Sequence, residues 1–375
     1  MTKTLVGLKG WLVVGVTVLV VSGACKSVGG SAVPTGVGGA RASQGGPSAT
    51  TTNCAGDGPT VPAGGANGGM IVTLLGTGSP VPSPDRAGSS TLIEAAGLRL
   101  VFDVGRGTTI RLWQKQIPLG TITAHFLTHL HSDHVNGLPD LWLSGWIRTP
   151  FGSRTTPFVV YGPPGTQKMM AGLWDAFSED RRIRMADEMT PLGDTQPLGG
   201  IEIDAHDVGP GLVYCARGVS VFTFDVDHGD LVKPARGYKI TYGPHTVVLS
   251  GDTRYSASVE TAARGADVLI HEVAMVPKSL IDRYPAYQAV MAHHISPEDA
   301  GRLFAAAKPR LAVYSHIVLS GLPSEGIPFT TPAELLAATR TTYAGPVVVG
   351  SDLMAFRIDD SGISTLNDGG TTGNK

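Results

Sequence analysis

The chain has little charge and no surplus of the positive kind. Its 375 residues carry 29 Lys and Arg against 31 Asp and Glu, a formal net charge of −2 at pH 7. A nucleic-acid binder ordinarily shows a basic balance. The composition therefore sets the expectation of no nucleic acid; a candidate site and an export signal in the same chain add that of a small-molecule ester substrate. Cysteine is scarce: Cys25, Cys54 and Cys215 make an odd count, which leaves one over after any pairing. The one conspicuous apolar run is at the start, where Trp11 to Val21 is almost unbroken. It is too short to span a membrane comfortably. With Lys3 and Lys9 before it and the small Ser22-Gly23-Ala24 after it, the layout is that of a signal peptide over residues 1–24. Cys25 then fits the first residue of a mature lipoprotein, held at a membrane by its lipid in the cell envelope or outside. If so, Cys54 and Cys215 remain as a disulfide or as two separate thiols. Residues 25–68 lack bulky apolar side chains almost entirely. Such a stretch cannot bury enough surface to fold and reads as a tether. Much of the glycine excess falls there; the total of 50 is about twice the usual share.

What the chain does have is Thr128-His129-Leu130-His131-Ser132-Asp133-His134. An apolar-rich run leads into it, so it reads as a loop leaving a buried strand. In extended backbone His129 and His131 point the same way, and Asp133 and His134 follow where the chain turns. One tetrahedral zinc takes three or four protein ligands. Four donors in two groups therefore suggest two metals side by side. His228, Asp252 and His316 each follow a strand-like run, where α/β sites are built. A carboxylate such as Asp252 can bridge two cations about 3.5–4 Å apart.

The segment His129-Leu130-His131-Ser132-Asp133-His134 resembles the HxHxDH signature of the metallo-β-lactamase superfamily. The resemblance runs from about residue 70 to 358 and is nearest the branch of tRNase Z and exported arylsulfatase-like hydrolases. Leu75-Gly76-Thr77-Gly78-Ser79-Pro80 and Phe102-Asp103-Val104-Gly105-Arg106-Gly107-Thr108 are similar to that branch's opening segments. So are the turn Tyr161-Gly162-Pro163-Pro164-Gly165 and the paired motifs His271-Glu272-Val273-Ala274 and His294-Ile295-Ser296. The resemblance implies two zinc ions. His129, His131 and His228 would hold one; Asp133, His134 and His316 would hold the other, with Asp252 bridging. It also implies catalytic roles for Asp133 and for His294, a proton donor oriented by Glu272, with Asp103 supporting a ligand imidazole. Two zinc ions would share a water, lower its pKa toward about 7 and supply a hydroxide nucleophile. His125, His206, His245 and His271 read as structural or solvated.

The chain departs from the tRNase Z pattern at Arg106, usually Glu, and at Ala274, usually Thr. No Gly- and Lys-rich arm is evident. Together with the export signal, these features favour hydrolysis of a sulfate ester or phosphodiester. A tRNase Z-like endoribonuclease and a lactone or β-lactam hydrolase are the alternatives. A β-lactamase role is disfavoured because Asp252, not Cys, stands at the bridging position.

From Gly69 onward short strand-like runs alternate with helical ones, which indicates α/β. The resemblance adds the four-layer αββα sandwich. The hydrolase domain is expected over residues 69–362, with a disordered tail over 363–375. Strands are expected at 71–75, 90–94, 98–103, 158–161, 200–206, 219–226, 237–242, 246–250, 268–271 and 311–315. Ser296-Pro297-Glu298-Asp299 is a helix start, with a helix to about 307. Residues 166–187 read as one helix with an apolar face, covering the sheet or serving as a lid or a contact for a second copy.

Overall fold

The computed structural model describes residues 68–189 and 198–366. The expectations for the signal peptide, Cys25 and the tether lie outside the described residues. No helix among the described residues is long and apolar enough to cross a membrane.

The first sheet is laid down by β1 (Met70–Gly76), β2 (Ser90–Ala95), β3 (Leu98–Phe102), β4 (Ala124–Phe126), β5 (Phe158–Gly162) and β6 (Ile203–Asp207). The chain then builds a second sheet from β7 (Gly211–Ala216), β8 (Val219–Val226), β9 (Ala235–Tyr242), β10 (His245–Leu249), β11 (Val268–Met275), β12 (Leu311–Leu319) and β13 (Val347–Val349). It returns to the first with β14 (Ala355–Asp359) and β15 (Gly362–Leu366). The strand orders are β15-β14-β1-β2-β3-β4-β5-β6 and β13-β12-β11-β10-β9-β8-β7. The final strand carries the first sheet to Leu366, so residues 363–366 are sheet rather than tail.

Three apolar clusters make this a four-layer αββα sandwich. Between the sheets, Met70, Val72, Phe102 and Phe126 meet Tyr238, Ile240, Val268 and Val313. On the outer face of the first sheet, Leu92 and Val101 pack under Leu112, Leu141, Trp142 and Met170 of the covering helices. On the outer face of the second, Leu269 and Tyr314 pack under Val259, Phe304 and Leu335. The expected cap is present: Ser296 accepts the Asp299 N–H at 3.1 Å and starts the helix Pro297–Ala307. The segment expected as one helix is two, Thr166–Ala176 and Ser178–Met189, broken at Phe177.

Candidate metal centre

β4 ends at Phe126, and the motif loop begins one residue later. Tyr238 reaches across from the second sheet and donates its hydroxyl to Leu127 O at 2.7 Å. Asp103, in the left-handed region at φ 56, fastens both ends of the loop. Its carboxylate accepts Thr128 N–H and Thr128 Oγ1–H at 2.8 and 2.9 Å, and it lies 2.8 Å from His134 Nδ1. His131 keeps an extended backbone and precedes the short helix Ser132–Val135, which turns Asp133 and His134 inward. The turn needs glycine beside it. A Cβ on Gly105 would fall 2.3 Å from Asp133 O and 2.4 Å from the Gly88 carbonyl carbon.

His228 follows β8 and Asp252 follows β10, both at strand ends. His316 lies inside β12, not after it. His271 pairs with Tyr314 and Val273 with Ile317, so Ser315 and His316 together oppose Glu272. This is a β-bulge, and His316 takes φ 43 within it. The Ile317 N–H is thereby released to Thr77 O at 2.9 Å.

All seven expected donors come together. His129 Nε2 and His131 Nδ1 are 2.9 Å apart, and His228 Nε2 is 3.3 Å from His131 Nδ1. On the other side, His316 Nε2 lies 3.1 Å from Asp133 Oδ2, and His134 Nε2 lies 3.5 Å from the same oxygen. Asp252 Oδ2 stands between the sets, 3.2 Å from His316 Nε2, 3.3 Å from His134 Nε2, 3.8 Å from His228 Nε2 and 3.9 Å from His129 Nε2. Donors about 2.0–2.1 Å from one zinc stand about 3.3 Å apart in a tetrahedron. The two clusters have that spacing. His131 is the one exposed donor; the other six are 3% exposed or less.

The buried atoms support a cation. Among the described residues, His134 Nε2 and Asp252 Oδ1 have no hydrogen-bond partner, and unpaired buried polar atoms are costly. Burial and the neighbouring His134 hold the His129 imidazole well below its usual pKa. Burial opposes charge on Asp252, but His316 and His134 outweigh it and hold the carboxyl well below the usual range. Burial likewise holds His131 and His228 below their usual pKa, whereas His134, despite its burial, is held well above its own by Asp252 and Asp103. Imidazoles and carboxylates converging on one buried point, with atoms left unpartnered there, are the donor chemistry of a divalent metal pair.

Two more of the donor imidazoles are held from behind. His228 Nδ1 is 3.0 Å from His293 O, and His129 Nδ1 is 3.1 Å from Thr128 Oγ1. Sequence reasoning missed both: a backbone carbonyl has no residue signature, and a lone Thr is too common to stand out. It also missed Asp352. That carboxylate accepts Thr77 N–H, Ala87 N–H and Arg111 Nε–H at 2.9, 2.7 and 2.9 Å, fixing the loop that meets His316's neighbour.

His294 and Glu272 adjoin the donors. His294 Nδ1 is 3.0 Å from Glu272 Oε2, and Glu272 Oε1 accepts Ile295 N–H at 3.0 Å and Thr253 N–H at 3.3 Å. Burial lowers the His294 pKa, but the carboxylate and its hydrogen bond outweigh it and push it up to about 9. His125 and His271 are buried away from the cluster; His125 stacks on Phe158 at 4.0 Å and lies 2.8 Å from Val159 O.

Residues 99–317 match the family described as the beta-lactamase superfamily domain. A Ribonuclease Z of Mycolicibacterium paratuberculosis is 34% identical over 290 residues, covering 77% of this chain and 98% of the relative. A Ribonuclease Z of Mycobacterium marinum is 32% identical over 284 residues, 75% and 96% of the two lengths. In fold, the chain is similar to the metallo-beta-lactamase fold protein YhfI of Bacillus subtilis, with a TM-score of 0.57, 20% identity and 77% and 99% coverage. It is also similar to the short form of human tRNase Z, with a TM-score of 0.54, 22% identity and 76% and 98% coverage. These relatives correct one expectation. A small-molecule ester and no nucleic acid does not fit near-full-length likeness to proteins named Ribonuclease Z. Net charge misled because it sums the whole chain, whereas a phosphate backbone is met by local cations. The arylsulfatase-like reading loses its support on the same finding. The chain belongs to the metallo-β-lactamase superfamily, among the relatives named Ribonuclease Z.

Proposed function

We propose that the protein is a metal-dependent endoribonuclease of the ribonuclease Z type, hydrolysing phosphodiester bonds in RNA. The observation that carries this reading is the 34% identity to a Ribonuclease Z across 98% of that relative's length. His129, His131 and His228 would hold one zinc, and Asp133, His134 and His316 the other, with Asp252 between them. When bound, such ions supply Lewis acidity and a water of lowered pKa.

The rest of the chemistry belongs to the chain's own groups. Asp103 and Thr128 keep the motif loop and two imidazoles in register. Glu272, anchored by two backbone N–H groups, keeps His294 protonated at neutral pH and aims it at the cluster. His294 would give its proton to the departing alkoxide oxygen of the ribose, whose own pKa is too high for it to leave unassisted. The preceding residues 1–24 we assign to export, so that the RNA is met outside the cytoplasm. Cys215 is disulfide-bonded, which supports an oxidising compartment. Incubation with precursor tRNA and with single-stranded RNA tests the assignment. Cleavage that disappears in Asp252→Ala is expected; intact RNA under conditions that hydrolyse an aryl sulfate would refute it.

A further inference from the structure

Most arginines around the metal centre are already committed. Arg86 donates to Thr77 Oγ1 and Gly350 O, and Arg111 pairs with Asp352 at 2.9 Å. Arg254 pairs with Asp227 at 2.6 Å, and Arg236 pairs with Asp225. Arg106 differs. Its guanidinium makes one long bond, Nη2 to Pro80 O at 3.4 Å. No carboxylate among the described residues lies within ion-pair range of it.

Its place is fixed by backbone. Arg106 O accepts Gly88 N–H at 2.9 Å. A Cβ on Gly88 would fall 2.7 Å from Arg106 N and 2.9 Å from Asp133 O, so one glycine separates Arg106 from the backbone of a candidate ligand. The side chain reaches the Pro80 loop. That loop starts at Thr77, whose carbonyl holds Ile317 beside His316. The guanidinium thus lies along a loop that runs from the neighbour of His316 to the neighbour of Asp133. Those two residues belong to one cation set.

A guanidinium has five donors in a fork that matches phosphate oxygens. The metal cluster itself accounts for one phosphate, the scissile one. A second phosphate near it exists in a polynucleotide and not in an isolated diester. We propose that Arg106 grips an RNA phosphate flanking the scissile one, and so selects polynucleotides over small diesters. The inference rests on the ribonuclease reading.

The test compares an RNA oligonucleotide with bis(p-nitrophenyl) phosphate, using the metal-loaded wild-type and Arg106→Ala proteins over a range of salt. For RNA, Arg106→Ala should raise KM by about tenfold at low salt and reduce the slope of log KM against log salt by about 1. The small diester's KM and kcat, and the bound metal, should stay as in the wild type. Arg106→Lys should keep the salt slope while recovering only part of the affinity. If the wild type cleaves RNA and Arg106→Ala leaves both KM and salt slope unchanged, this inference falls alone. If the wild type hydrolyses the small diester and no RNA, it falls together with the ribonuclease reading.

Discussion

At the scale of single residues, the division of labour is between donors and the groups that aim them. Asp252 touches both halves of the cluster, so Asp252→Ala should lose metal and activity together, as read by elemental analysis and turnover. His294 stands next to the cluster and its nearest carboxylate is Glu272. His294→Ala should keep the metal content and slow turnover by about 10²–10⁴-fold, the range of a general acid. The loss should shrink for a nitrophenyl leaving group, which departs without a proton. Equal losses for good and poor leaving groups would remove His294 from that role. The donors were legible because imidazoles and carboxylates at such spacing have few structural uses. Thr128, the His293 carbonyl and Asp352 were not, because what they do depends on a contact and not on residue type.

At the scale of elements, the site depends on breaks in regular structure. The β12 bulge was not foreseen; the apolar run 311–315 looks the same in a straight strand and in one with an inserted residue. Deleting Ser315 should restore residue-for-residue pairing with β11 and turn the imidazole of His316 to the other face. Metal content should fall from two ions toward one with the circular dichroism spectrum kept; two ions retained would show that the bulge is dispensable. β4 makes a second prediction. Burial holds the His125 pKa down at about 3. Between about pH 6.5 and 3 the unfolded chain takes up a proton that the folded one refuses. Stability is therefore complete above 6.5 and falls as pH drops through this window, by up to about 1.4 kcal/mol per pH unit. His125→Phe should remove this part of the acid sensitivity, read as a smaller difference between urea midpoints at pH 7.5 and 4.5. An unchanged difference would mean that His125 is not responsible. The longer strands were legible from their apolar runs. The three-residue β13 was not, because so few residues carry too little period to separate strand from loop.

At the scale of the whole molecule, alternating short runs made α/β legible, and the resemblance supplied the four layers that the three apolar clusters then form. Function was less legible. Whole-chain charge and a leader-like start pointed away from RNA, because neither reports on local charge at the site. The central claim is that a dinuclear centre in this chain cleaves RNA. The most direct measurement adds zinc stepwise to metal-free protein while following end-labelled RNA and an aryl sulfate in parallel. RNA cleavage should rise from nothing to its plateau by two equivalents of zinc, with the aryl sulfate left intact. Aryl sulfate hydrolysis with uncut RNA, or full RNA cleavage before any zinc is added, would contradict the account.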